Sequence, residues 1–190
     1  MKTIDEYKKL LLEKYHESGD PDLEERYFHS LSVGMKAVEL INRFNLSVDC
    51  KKAEIAGILH DYAKFEKMNK YEAIVEEYQL DKQILTKNPK ILHAILGPFI
   101  INKELGISDQ EILEAIYYHP FGSDHMSLLS EVIFLADFVE DLRTESYFKK
   151  AQDLSRINFR QAILAKIERM LELRPNDEQT KKMYKKYSEG

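Results

Sequence analysis

Apolar residues recur at three- and four-residue spacing along almost the whole chain, and no stretch alternates as a half-buried strand would. Ile4, Tyr7, Leu10, Leu11 and Tyr15 form the first such face, which Ser18-Gly19-Asp20-Pro21 ends. Residues 22–44 form a longer one with Leu31, Val38 and Ile41. Ser47 or Asp49 can cap the next helix. Its small residues Ala53, Ala56 and Gly57 predict close approach of another helix. Residues 66–80 are amphipathic through Met68, Tyr71, Ile74, Val75 and Tyr78. Asn88-Pro89 opens a further helix. Gly97-Pro98 predicts a kink or break within it, and Gly106 its end. Ser108-Asp109-Gln110-Glu111 has the form of a capping box. The helix it starts should stop at His119, because a residue before proline is pushed out of the helical region. Ser127 caps a helix with Leu129, Val132, Ile133 and Ala136 inward. After Arg143 an irregular stretch leads to a long helix bearing Ile157, Ala162, Ile163, Ile167, Met170 and Leu171. Arg174-Pro175-Asn176-Asp177 turns into a final basic helix. The expected fold is therefore all-α: a single-domain helical bundle over 1–190, with its core at about 22–145 and the C-terminal helices packed on that core.

Composition narrows the function. A chain of 190 residues, 44% apolar and 32% charged, can bury a sizeable core and is not a disordered segment. Its net charge of −5 argues against a nucleic-acid polymer as partner, because a phosphate backbone demands a basic face. A small phosphorylated ligand held by a few local cations remains compatible. The single cysteine, Cys50, provides neither a disulfide framework nor a thiolate metal site, which suits the reducing cytoplasm. The N-terminus lacks a signal peptide's apolar core, and no apolar run is long enough for a membrane span. A homodimer is compatible with the sequence.

A few polar residues sit badly with a plain core. His60 and Asp61 are adjacent after an apolar run, pointing roughly 100° apart if helical, so both can approach one ion. Lys64, one turn on, shares the face of His60. Asp137 continues the apolar stripe of Ile133 and Ala136, and a carboxylate there needs a metal, an arginine or hydrogen-bond donors. A buried ion pair with arginine is the plain alternative. His29 alone reads as a hydrogen-bonded core histidine. His16, in a last helical turn, reads as surface, and so does His125, in a loop, which is otherwise an outside candidate for the general acid. Taken together, His29, His60, Asp61, His93, His119 and Asp137 come from different helices except for the adjacent pair, and bundles build metal sites this way. Imidazole with carboxylate suits iron, manganese, cobalt or zinc.

The ordered series His, His-Asp, His, His, Asp resembles the HD-domain metal-dependent phosphohydrolase superfamily. Longer stretches are similar to motifs of the YqeK family: residues 26–33 (Arg-Tyr-Phe-His-Ser-Leu-Ser-Val), residues 56–64 (Ala-Gly-Ile-Leu-His-Asp-Tyr-Ala-Lys), His119-Pro120-Phe121-Gly122 with Met126-Ser127, and Leu135 to Glu140 with Arg143. The resemblance implies an HD-type bundle that hydrolyses diadenosine tetraphosphate symmetrically to two ADP by a metal-activated water. It further implies one or two iron ions and an ability to hold a nucleoside diphosphate. Carried onto this chain, it makes His29, His60, Asp61 and Asp137 the principal metal ligands. His93 and His119 fall at a second metal position or against the substrate phosphates. Arg26 and Arg143 lie near the nucleotide, and Lys64 with Asp61 is a candidate for catalysis. Arg26, Lys64 and Arg143 are the candidate cations for the polyphosphate. One of the aromatic residues could stack on a base, but the sequence does not single it out. Pro98 stands where the family usually has a small residue, and His125 where it is variable. The alternatives are a nucleotide-binding HD module with little turnover, or an HD phosphohydrolase of another nucleotide.

Overall fold

The computed structural model describes residues 2–189, and among them it contains ten α-helices and no strand. In chain order these are α1 (Ile4–Ser18), α2 (Leu23–Phe44), α3 (Cys50–Leu59), α4 (Met68–Glu77), α5 (Pro89–Leu105), α6 (Gln110–Tyr118), α7 (Leu128–Val139), α8 (Lys149–Leu154), α9 (Phe159–Leu173) and α10 (Glu178–Ser188). Short 3₁₀ turns over Lys82–Thr86 and Ser146–Phe148 complete the order.

The centre of the bundle is α3. It packs on α1, α2, α6 and α7, and from Ile55 to Leu59 every residue is buried. That all-round apolar character is what a central helix requires. The close approach expected of its small residues is made by α2. A Cβ placed on Gly57 would lie 2.6 Å from the Cα of Gly34, so no side chain fits there. Gly34 answers from α2, where an added Cβ would meet Ile58 Cγ1 at 3.0 Å. Two glycines therefore set the spacing of the helices that carry His29 and His60.

The remaining helices form around this centre. α5 packs on α4 and α6, and α9 packs on α7, α8 and α10. α1 and α5 stop at Gly19 and Gly106, both in the left-handed conformation that glycine tolerates. Ser127 caps α7 through Ser130 N, as its position suggests.

Three local expectations change. First, α5 runs unbroken through Pro98. Leu92, Leu96, Ile100 and Ile101 are buried around that point, and their packing holds the helix where one hydrogen bond is missing. Second, the cap of α6 is Asp109 rather than Ser108, since its carboxylate accepts from Glu111 N and Ile112 N. Third, Ile157 is 75% exposed and lies between α8 and α9 instead of on an inward helical face. No helix of the described residues is long and apolar enough to cross a membrane.

Candidate metal centre

A helix leaves its last carbonyls without partners. α3 and α6 both answer this with a histidine that caps the helix. His60 Nδ1 lies 2.6 Å from Gly57 O, and His119 Nδ1 lies 2.7 Å from Ile116 O. A carbonyl only accepts, so each Nδ1 carries a proton and each Nε2 is turned inward. On α2, His29 Nδ1 faces Glu140 Oε1 at 3.0 Å, and that carboxylate likewise leaves Nε2 to point at the centre. Three helices thus orient three imidazoles toward one place.

The inward atoms form two clusters. In the first, His29 Nε2 is 3.2 Å from His60 Nε2 and 3.2 Å from Asp137 Oδ1, which is 3.8 Å from His60 Nε2. In the second, His93 Nε2 is 2.9 Å from Asp61 Oδ1 and 3.3 Å from His119 Nε2, which is 3.5 Å from the same Oδ1. Neighbouring ligands on a first-row metal, each at about 2.0–2.1 Å, stand roughly 3.0–3.4 Å apart, which most of these separations approach, the His60–Asp137 distance of 3.8 Å being wider. Asp61 joins them, because its Oδ2 lies 3.5 Å from His60 Nε2. Asp61 Oδ1 is buried and makes no hydrogen bond, despite the ring nitrogens around it. Leaving a buried carboxylate oxygen unsatisfied is costly, and a cation among these atoms removes the deficit. His29, His60 and Asp137 form one group able to hold a metal ion, and His60, Asp61 and His119 form another.

Comparison with known proteins shows the family. The family model of the HD domain matches residues 26–141, more than half of the chain. The chain belongs to the HD-domain family. It is 38% identical over 76% of its length to the symmetrical bis(5'-nucleosyl)-tetraphosphatase of Bacillus subtilis, covering 76% of that protein. It is 35% identical, with the same coverage of both chains, to the protein of that name from Halalkalibacterium halodurans. Among solved structures it is similar to a "predicted HD superfamily hydrolase involved in NAD metabolism" from Clostridium acetobutylicum. There the TM-score is 0.82 at 27% identity, over 98% of this chain and 97% of the other.

Charge around the HD centre is organised in opposed pairs. Burial works against ionisation of Asp61, but His60, His93 and Lys64 outweigh it and hold the carboxyl well below its usual range. Burial acts the same way on Asp137, where His29 and the charge of Lys166 prevail and hold its carboxyl well below the usual range. His119 is pushed down to about 3 by burial, so its Nε2 stays free to donate its electron pair. Burial also lowers His29, yet the carboxylates of Asp137 and Glu140 reverse this and raise it. The negative field that favours a proton on His29 favours a metal cation beside it equally. Arg26 Nη1 pairs with Asp61 Oδ2 at 3.0 Å, and Arg143 Nη2 pairs with Asp137 Oδ1 at 3.1 Å. The arginine partner considered for Asp137 is therefore present, alongside the histidines rather than in place of them. Lys64 Nζ lies 3.5 Å from Asp61 Oδ1, reached through a tight turn because α3 ends before it.

All the candidate residues named from sequence meet at this HD centre, whereas His125 has its side chain 85% exposed and stands apart. Two further residues belong to it. Glu140, buried at the end of α7, holds His29 and also accepts from Leu142 N at 2.7 Å. Lys166 of α9 is buried, donates to His119 O at 3.2 Å and to Phe134 O, and lies 3.8 Å from Asp137 Oδ2. Burial pushes its pKa down to about 8. Lys166 had a readable signal, since it interrupts the apolar run of Ile163 and Ile167. Glu140 closes the Leu135–Glu140 stretch that the resemblance rests on, but its spacing gives no signal beyond its place three residues after Asp137.

Proposed function

We propose that this chain hydrolyses diadenosine tetraphosphate to two ADP, as a cytoplasmic, metal-dependent enzyme in which residues 1–190 act as one domain. The observation that carries the reading is the pair of converging donor clusters joined by Asp61. The names of its relatives supply a bis(5'-nucleosyl) tetraphosphate cut symmetrically, and adenosine is the nucleoside that the family resemblance implies. His29, His60, Asp61 and Asp137 would hold the principal ion, and Asp61 with His93 and His119 a second position. Iron is the metal that the resemblance implies, and manganese, cobalt or zinc suit the same donors. When bound, the metal supplies a Lewis acid that polarises phosphoryl oxygens and lowers the pKa of water to about 7.

The chain's own residues do the rest. Arg26 and Arg143 offer planar guanidinium forks at the edge of the carboxylates, where a polyphosphate can take them in place of their aspartate partners. Lys64 adds a point charge beside Asp61 Oδ1. Glu140, Gly57 O and Ile116 O keep three imidazoles aimed without rearrangement. In the reaction the oxygen of water bonds to one of the two inner phosphorus atoms. The bond from that phosphorus to the oxygen linking the two inner phosphorus atoms breaks, that oxygen leaves on the second ADP, and the protons of the water pass to the products and solvent.

The test is metal analysis of the purified protein together with chromatography of the products. Two ADP per substrate consumed, and loss of turnover on chelation, are the expected results. AMP with ATP, or no turnover by metal-loaded protein, overturns the reading.

A further inference from the structure

A dinucleoside polyphosphate has flat bases as well as phosphates, and the centre described above accounts only for the phosphates. Beside it opens a cavity of about 460 Å³, within the usual range of small-molecule sites. Its inner wall contains His29, Arg26 and Arg143, so it is continuous with the metal donors and with both arginines. Its sides include Phe28 and Leu142. These two are 57% and 54% exposed, and each stands next to site residues in sequence. Phe28 lies between Arg26 and His29 on α2, and Leu142 between Glu140 and Arg143. Tyr27 braces the Phe28 ring edge-on at 5.7 Å between centroids. Exposed Tyr147, by contrast, is already covered by Arg169, whose guanidinium carbon lies 4.9 Å from its ring centre. The groove of Tyr78, Phe99 and Tyr117 on another face is aromatic but contains no arginine and no metal donor.

We propose that Phe28 and Leu142 form the platform that receives one nucleoside of the substrate, with the adenine ring stacked on Phe28 and its phosphates running inward past Arg26 and Arg143. The inference rests on the reading that the substrate carries adenosine. Glu25, Thr144 and Glu145 rim the same cavity and offer acceptors to the amino edge of the base and to the ribose hydroxyls.

The chain has no tryptophan, so Phe28→Trp places a single indole at the platform. In the metal-loaded protein, ADP should quench its fluorescence on binding and inorganic pyrophosphate should not. Phe28→Ala should weaken ADP binding by about tenfold or more, from the loss of aromatic stacking, and leave pyrophosphate binding within twofold of wild type. Phe28 is exposed, and an unchanged circular dichroism melt will show that the variant is folded. Indole emission that does not respond to ADP shown by calorimetry to be bound overturns the proposal. So does a Phe28→Ala variant that binds ADP as tightly as wild type. A change from dimer to monomer with unaltered ADP affinity also overturns it, by making the patch a self-association face. If wild-type protein neither binds ADP nor turns over diadenosine tetraphosphate, the proposed function itself fails.

Discussion

A carboxylate that touches no metal can decide whether a histidine binds one. Glu140 is 1% exposed and accepts from His29 Nδ1, which leaves His29 Nε2 3.2 Å from His60 Nε2. Glu140→Gln removes the charge that makes His29 basic, and an amide can satisfy either tautomer of the ring. Loss of such an outer partner weakens metal binding by about 10–100-fold. That weakening is the expected result of calorimetric titration with Mn²⁺, with helical content unchanged. Equal affinity in the variant would mean that packing alone orients His29. At this scale the sequence revealed residues that break a pattern. Asp137 interrupts an apolar stripe and was found that way, and Lys166 interrupts another in the same manner. Glu140 caps α7 just past the last turn, where no periodicity remains to be broken. Phe28 was hidden for the opposite reason, since an aromatic residue on an amphipathic helix reads as core until its exposure is known.

Among the elements, the contact between α2 and α3 governs the site, because His29 and His60 are carried on them. Gly57→Ala would put a Cβ 2.6 Å from Gly34 Cα, a clash with backbone that no rotamer relieves. Overpacking of this kind costs about 1–3 kcal/mol, against up to about 1 kcal/mol recovered from helix propensity. The expected outcome is a lower melting temperature together with weaker metal binding, as the two histidines are pushed apart. A variant that melts lower but binds metal as before would separate the spacing of the helices from the site. The sequence disclosed the small residues on α3 but not which helix they admit, since pairing is a property of the packed bundle. The same limit applies at Pro98. Its local preference favours a break, and what overrides it is the burial of Leu92, Leu96, Ile100 and Ile101 around it, which only the packed bundle provides.

For the whole molecule, the site ties together helices that are far apart in sequence. Its donors come from α2 through α7, and Lys166 extends the contact to α9. A ligand bound only by the folded state at about 100 times its Kd adds about 2.7 kcal/mol. In a chain of this size that raises Tm by roughly 5–10 °C. Chelation should therefore lower Tm by about that amount, and scanning calorimetry should show one transition before and after. Two separate transitions would place α8–α10 in an independent unit. The convergence of α3 and α6 has a further consequence. Both helices direct their carboxyl ends at the centre, where each contributes a partial negative charge beyond that of Asp61 and Asp137. That charge falls where the donor atoms converge, so a cation seated there gains from both helix ends at once, while Arg26, Arg143 and Lys64 stay at the edge to meet an anion.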